Sequence, residues 1–156
     1  MDTARWILLA YRLPREPSTP RIALWRKLRK LGVVQLLDGL VALPLDGRTR
    51  EQLEWLADEV VEAGGEASLW LSEPASAGQE RELAAHLTAA IAEEYRAVLA
   101  QAQSAAAEDA PGRRRALRRL RRELRRIGER DYFSPPEREL ARAAVEALAI
   151  TVEVTE

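Results

Sequence analysis

The chain has 156 residues with 24 basic and 25 acidic side chains, one His and no Cys, for a formal net charge of −1. The length suits one domain, or a small domain with a helical extension, and 47% apolar residues suffice to bury a core. The lack of Cys excludes a disulfide framework, a thiol nucleophile and a Cys-based zinc site, and the lone His86 excludes a site with two His ligands.

The first element is the apolar run at residues 6–13, read as a strand buried on both faces. Its uninterrupted part, Trp6 to Tyr11, is six residues closed by Arg12, too short for a membrane span or a signal peptide. A soluble cytoplasmic protein is therefore expected. Pro14 and Pro17 end the strand, and Ser18-Thr19-Pro20 opens a helix carrying Ile22, Trp25, Leu28 and Leu31, which Gly32 stops. Residues 33–37 and 40–43 are two short strands joined by the hairpin dipeptide Asp38-Gly39. Thr49 and Gln52 have capping-box spacing before a second helix with the stripe Leu53, Leu56, Val60 and Ala63, ended by Gly64-Gly65. Residues 67–71 read as a fourth strand. The order β-α-β-β-α-β most often gives an α+β, ferredoxin-like sheet with both helices on one face. The other face then needs a cover, either the C-terminal segment or a second subunit.

From about Gln79 the chain reads as helical. Leu83, Leu87, Ile91, Tyr95, Val98 and Ala102 lie along one face of a long helix. A polar break at 104–111 precedes an Arg-rich helix at about 113–128 with the narrow seam Leu117, Leu120, Leu124 and Ile127, and the two helices form an antiparallel hairpin. Ser134-Pro135-Pro136-Glu137 opens a third helix, with Glu137 closing a capping box and Leu140, Val145 and Leu148 on its apolar face. Alternation of Ile150, Val152 and Val154 with polar residues predicts a short terminal strand. The expected domains are residues 1–75, the α+β part, and 76–156, a helical extension packed on it.

The net charge conceals segregation. Residues 1–32 hold eight basic and two acidic side chains, net +6, and 33–112 hold four and fifteen, net −11. Residues 113–130 hold ten Arg and two Glu, net +8, and 131–156 hold two basic and six acidic, net −4. Since 22 of the 24 basic residues are Arg, as a GC-rich genome would give, placement carries more weight than abundance. The Arg helix bears Arg113, Arg114, Arg115, Arg118, Arg119, Arg121, Arg122, Arg125, Arg126 and Arg130. The planar guanidinium fork suits phosphate oxygens, and six to ten such contacts give strongly salt-dependent affinity. The DNA-binding candidates are Arg114, Arg115, Arg118, Arg119, Arg122, Arg125 and Arg126, with Arg26, Lys27, Arg29 and Lys30 of the first helix as a second basic block. The competing reading pairs the Arg helix with Glu93, Glu94, Glu108 and Asp109 across the hairpin.

Arg12, Arg15, Ser18 and Arg21 surround a helix start that can hold an oxyanion such as chromate or sulfate. Trp6, Trp25, Trp55 and Trp70 are read as core residues, and Tyr132 and Phe133 as a plug between helices. His86 has no metal-ligand or triad spacing around it, Asp38 belongs to its turn, and no catalytic residue, metal site or cofactor is expected.

The stretches Trp6-Ile7-Leu8-Leu9 with Leu13-Pro14, Pro17-Ser18-Thr19-Pro20-Arg21, Leu24-Trp25-Arg26-Lys27-Leu28, Asp38-Gly39 and Leu43-Pro44 recur as a set. So do Gln52-Leu53-Glu54-Trp55-Leu56 and Glu62-Ala63-Gly64-Gly65-Glu66-Ala67. Together they resemble the N-terminal domain of the ChrB family of chromate-resistance regulators. The later half is similar too, with an Arg-rich helix, Arg130-Asp131-Tyr132-Phe133 and an Ala-rich helix. The resemblance implies a cytoplasmic transcriptional regulator that binds DNA and responds to chromate. The same N-terminal pattern is similar to the ferredoxin-like domain of PaaX repressors and of the small CRISPR adaptation subunit. The sequence is expected to lack the second domain of longer ChrB proteins and the winged helix of PaaX. Where the CRISPR nucleases place an Asp near the end of the first strand it has Tyr11 or Arg12, so no metal-dependent nuclease is expected. The reading is a non-enzymatic, homodimeric DNA-binding regulator. The alternative is a dimeric interaction module whose Arg helix pairs with acidic helices.

Overall fold

The computed structural model describes residues 5–155, with side chains described as far as residue 150. In chain order its elements are β1 (Trp6–Arg12), α1 (Thr19–Leu31), β2 (Val34–Leu37), β3 (Leu40–Pro44), α2 (Gly47–Glu62), β4 (Glu66–Ser72), α3 (Ala77–Ala105), α4 (Ala110–Gly128) and α5 (Glu137–Thr155). They gather into two compact units, Met1–Leu87 and Thr88–Glu156. The protein is α+β.

In the first unit, the strands form one sheet in the order β2-β3-β1-β4 with every neighbouring pair antiparallel. The crossover through α1 therefore joins strands separated by β3, and that through α2 joins strands separated by β1. The register sets Ile7 opposite Leu43 and Leu71, and Leu9 opposite Val41 and Leu69. Ile7, Leu9, Val41 and Leu43 are buried, as are Leu24 and Leu28 of α1 and Leu53, Leu56 and Val60 of α2. On the opposite face, Trp6, Val34 and Ala42 pack with Leu87 and Leu83 of α3, so the start of α3 supplies part of the expected cover.

Two caps fix the helix starts and stops. Gly32 closes α1 at φ 78°, its N–H reaching the carbonyls of Arg29 and Leu28, a left-handed conformation that favours glycine. At α2 the capping box uses other residues than expected. Asp46 is the N-cap and accepts from Thr49 N–H at 2.7 Å, while Thr49 Oγ1 accepts from Asp46 N–H at 3.0 Å. Thr49 Oγ1 also donates to Pro44 O at 2.7 Å, which satisfies a hydroxyl buried at the strand–helix junction.

In the second unit, α4, α5 and the later turns of α3 share one core. Ile91, Tyr95, Val98 and Ala102 meet Leu117, Leu120 and Ile127, and Ala141, Val145 and Leu148 close the third side. The seam expected on the Arg helix is thus buried, with Leu124 packed at its edge.

Several expectations are corrected. The terminal strand at Ile150, Val152 and Val154 does not form, because α5 runs on to Thr155. Extending an existing helix adds a hydrogen bond per residue without new nucleation, whereas a lone strand needs a partner edge. Trp55 is 61% exposed on α2 and Trp70 59% exposed on β4, so only Trp6 is a core tryptophan and Trp25 is half-buried. Trp70 lies opposite Leu8 on the face that α3 covers in part, and its indole N–H donates to Ser68 Oγ at 2.9 Å. Ile22 and Leu140 are exposed, Ala141 taking the buried place on α5.

The β2–β3 turn yields a test. Gly39 has φ +76°, and a Cβ there would sit 2.5 Å from the carbonyl oxygen of Tyr11, whose N–H donates to Gly39 O at 2.8 Å. Gly39→Ala should destabilise the protein by about 2 kcal/mol or more in chemical denaturation. Gly47→Ala, where a Cβ meets nothing within 4 Å, should be near neutral.

Candidate nucleic-acid interface

Helix α4 begins at Asp109, whose carboxylate accepts from Gly112 N–H at 2.8 Å, with Pro111 in the first turn and Arg125 and Arg126 in the last. An acidic cap at the N-terminus and cations at the C-terminus both suit the helix dipole. A helix with nine arginines has one way to fold into a core. It buries the stripe Leu117, Leu120 and Ile127 and turns the charges outward.

The arginines then sort by face. On one flank, Arg121 grips Glu146 of α5 through two hydrogen bonds, 3.0 Å from Nε and 2.9 Å from a terminal nitrogen. Beyond the last turn, Arg130 holds Glu94 of α3 in the same forked way, at 2.8 and 2.7 Å. Arg126 pairs with Glu123 at 3.1 Å, and Arg113 donates to the Glu108 carbonyl. Arg115, Arg118, Arg119, Arg122 and Arg125 are exposed, with no hydrogen bond or ion pair to the described residues. Their spacing places Arg115, Arg118 and Arg122 opposite the buried seam. Arg114 is half-buried and does interact within the protein. Of the acidic partners expected across the hairpin, Glu94 takes Arg130, Glu93 pairs with Arg96, and Asp109 caps α4.

Between α4 and α5 the chain is held by Asp131, whose side chain is 2% exposed. One carboxylate oxygen accepts from Ser134 N–H at 2.8 Å and Phe133 N–H at 3.3 Å, and the other from the Tyr95 hydroxyl at 2.8 Å. Asp131 thus fixes the turn before α5, while Ser134, the expected cap, has φ 46° and accepts from Arg138 at 3.0 Å instead. Phe133 is exposed, so the expected plug reduces to half-buried Tyr132. Burial first, then the hydrogen bond to Asp131, raise the pKa of Tyr95 well above the ordinary phenol value.

The second basic block lies on α1. Arg26, Arg29 and Lys30 are exposed and make no pair with the described residues, while Lys27 reaches Glu59 of α2 at 2.8 Å. Of the oxyanion candidates, Arg12 pairs with Glu66 at 3.0 Å across the β1–β4 register. Arg15 and Arg21 are exposed, and Ser18 is the N-cap residue of α1 with no side-chain capping bond. The two basic helices belong to separate units. His86 is exposed on α3, and among the described residues no three His, Asp or Glu side chains gather as metal ligands. No described helix is long and apolar enough to cross a membrane.

Removing one hydroxyl in Tyr95→Phe leaves a buried carboxylate short of a donor and should destabilise the protein by about 1–3 kcal/mol, with Asp131→Ala costing more. Thermal denaturation of the two variants checks this. The Arg121 hydrogen bond holds the Glu146 carboxyl below its ordinary value. The stability this pair adds is therefore complete above the unfolded-state carboxylate pKa and is lost as pH falls through the lowered folded value. The pair is exposed, so Glu146→Gln should remove only a small part of the acid sensitivity seen in melts across the acid range.

No solved structure matches the chain. A curated relative, Protein ChrB of Cupriavidus metallidurans, is 32% identical over 77 residues, which are 49% of this chain and 23% of the relative. The chain thus spans about a quarter of that protein's length. The family model described as Protein ChrB, N-terminal, matches residues 21–154, from the start of α1 through nearly all of α5. The chain belongs to the ChrB N-terminal family.

Proposed function

We propose that this chain is a DNA-binding regulatory protein of the chromate-resistance type, acting without catalysis and holding the phosphate backbone through α4. The observation that carries the reading is the outward set Arg115, Arg118, Arg119 and Arg122, exposed and unpaired among the described residues, beside the anchored Arg121 and Arg130. These four span about 10 Å of helix axis. Arginines free to turn toward a ligand give up no internal pair when they bind phosphate, and the anchored ones keep the helix from rolling. Membership in the ChrB family supports the regulatory assignment, and through it an oxyanion effector such as chromate. Arg26, Arg29 and Lys30 on α1 are a second backbone-contacting set, with Lys27 contributing less because Glu59 holds it.

We read the sheet order, with each helical crossover skipping one antiparallel strand, as the ferredoxin-like arrangement, and the molecule as a cytoplasmic homodimer. A second reading, an interaction module that binds acidic helices, is favoured by the forked pairs Arg121–Glu146 and Arg130–Glu94, which are models of such binding within one chain.

Fluorescence anisotropy with duplex DNA at two salt concentrations separates these. The wild type should lose affinity steeply with salt. The variant with Arg115, Arg118, Arg119 and Arg122 all changed to Gln should lower the slope of log K against log salt by about 0.9 for each contact removed. Salt-independent or absent DNA binding, with capture of an acidic helical peptide, would leave the interaction-module reading in place.

A further inference from the structure

A cavity of about 250 Å³ opens within the helical unit, lined by Tyr95, Leu124, Arg125, Gly128, Arg138 and Arg142. Arg125 of α4 and Arg138 and Arg142 of α5 thus border one hollow. At about 30 Å³ per water, the space holds roughly eight waters, room for one small anion with part of its hydration.

Counting Arg121, which grips Glu146, four arginines here meet three acids, Asp131, Glu139 and Glu146. Asp131 lies 4.0 Å from Arg138 and is already shared with the Tyr95 hydroxyl and two backbone N–H groups. Glu139 meets Arg142 at 3.5 Å, at the outer limit of a hydrogen bond, and both side chains are largely exposed. Arg125 has no partner among the described residues.

The site is also built rather than incidental. Arg138 is held from behind by Ser134 Oγ at 3.0 Å, and the turn carrying Ser134 is fixed by Asp131. Gly128 lines the hollow without a side chain, and a Cβ there would enter open space, with nothing within 4 Å. Convergent planar donors suit a tetrahedral oxyanion, whose oxygens accept several forked hydrogen bonds at once.

We infer that Arg125, Arg138 and Arg142 form a binding site for a single tetrahedral oxyanion of the phosphoryl or sulfate type, distinct from the outward arginines of α4. The anion is either free in solution or a phosphate of a bound nucleic acid.

Calorimetry with inorganic phosphate and with sulfate tests the first source, and duplex DNA anisotropy the second. The proteins are the wild type, the double variant Arg125→Gln/Arg142→Gln, and Gly128→Glu, which puts a carboxylate at the mouth while keeping every arginine. Arg50→Gln/Arg81→Gln, which removes two exposed charges outside both arginine sets, serves as the control, Arg118→Gln/Arg122→Gln reports the outer face, and circular dichroism confirms that each variant folds. Free-anion binding that weakens about tenfold or more in the double variant and in Gly128→Glu, with the control unchanged, supports the site with a free anion. If neither anion binds but DNA affinity falls in those same two variants, the site stands with the nucleic acid as the source. Anion binding of equal strength in wild type and pocket variants overturns the inference, as does the absence of any effect on both ligands. No free-anion binding together with DNA affinity lost only in Arg118→Gln/Arg122→Gln leaves the outer-face reading standing while overturning this one.

Discussion

The arrangement of the helical unit depends on a scarcity of apolar surface on α4. That helix has ten Arg in its neighbourhood and only four large apolar side chains, Leu117, Leu120, Leu124 and Ile127. The narrow stripe admits one orientation, toward Tyr95, Val98, Val145 and Leu148. Any roll of the helix would expose the stripe and bury guanidinium groups, whose desolvation far exceeds what a few leucines return. Once the roll is set, the role of each arginine follows from its place on the wheel. Arg121 and Arg130 face carboxylates on α5 and α3, Arg125 faces the hollow, and Arg115, Arg118 and Arg122 face outward.

The forked pairs and the Asp131 turn work at different depths. Arg121 and Glu146 are both exposed, so their attraction is screened and adds chiefly to orientation. Arg130 is largely covered, and its carboxylate partner is only part-exposed, so this pair is held in a lower dielectric. Asp131 is nearly inaccessible and satisfied by three donors, so a local turn and a tyrosine of α3 share one carboxylate. The turn and the hollow beside it are therefore parts of one construction, since Ser134 connects them through Arg138.

The order of the first six elements was legible because turn chemistry marks their ends. Pro14, Gly32, Asp38-Gly39 and Gly64 all punctuate the chain where the structure does. Residue faces were legible as well, but coverage was not. Alternation places Trp70 on the same face as Leu8, yet only the extent of α3 decides how much of that face is covered. Trp55 and Ile22 fail for a related reason, since a helix stripe has margins and its width depends on the neighbour. The tail failed because period-two alternation over five residues also fits the end of a helix already under way. The basic block was plain in the sequence, whereas its division into anchored, outward and hollow-facing members rests on partners far along the chain. Nothing local connects Arg125 with Arg138 and Arg142, or Asp131 with Tyr95.

The sheet order carries a kinetic consequence. In the helical unit α4 packs on α5, the helix that follows it, so this part of its core can assemble from an encounter between consecutive helices. The sheet cannot, because its inner strand β1 must pair with β4, Trp6 lying opposite Ser72 at nearly the far end of that unit. Closing so long a loop is an entropic toll met before any contact offsets it. The protein thus joins a fast-assembling half to a slow one, and during synthesis β1 waits for almost the whole first unit to emerge before it gains its second partner strand.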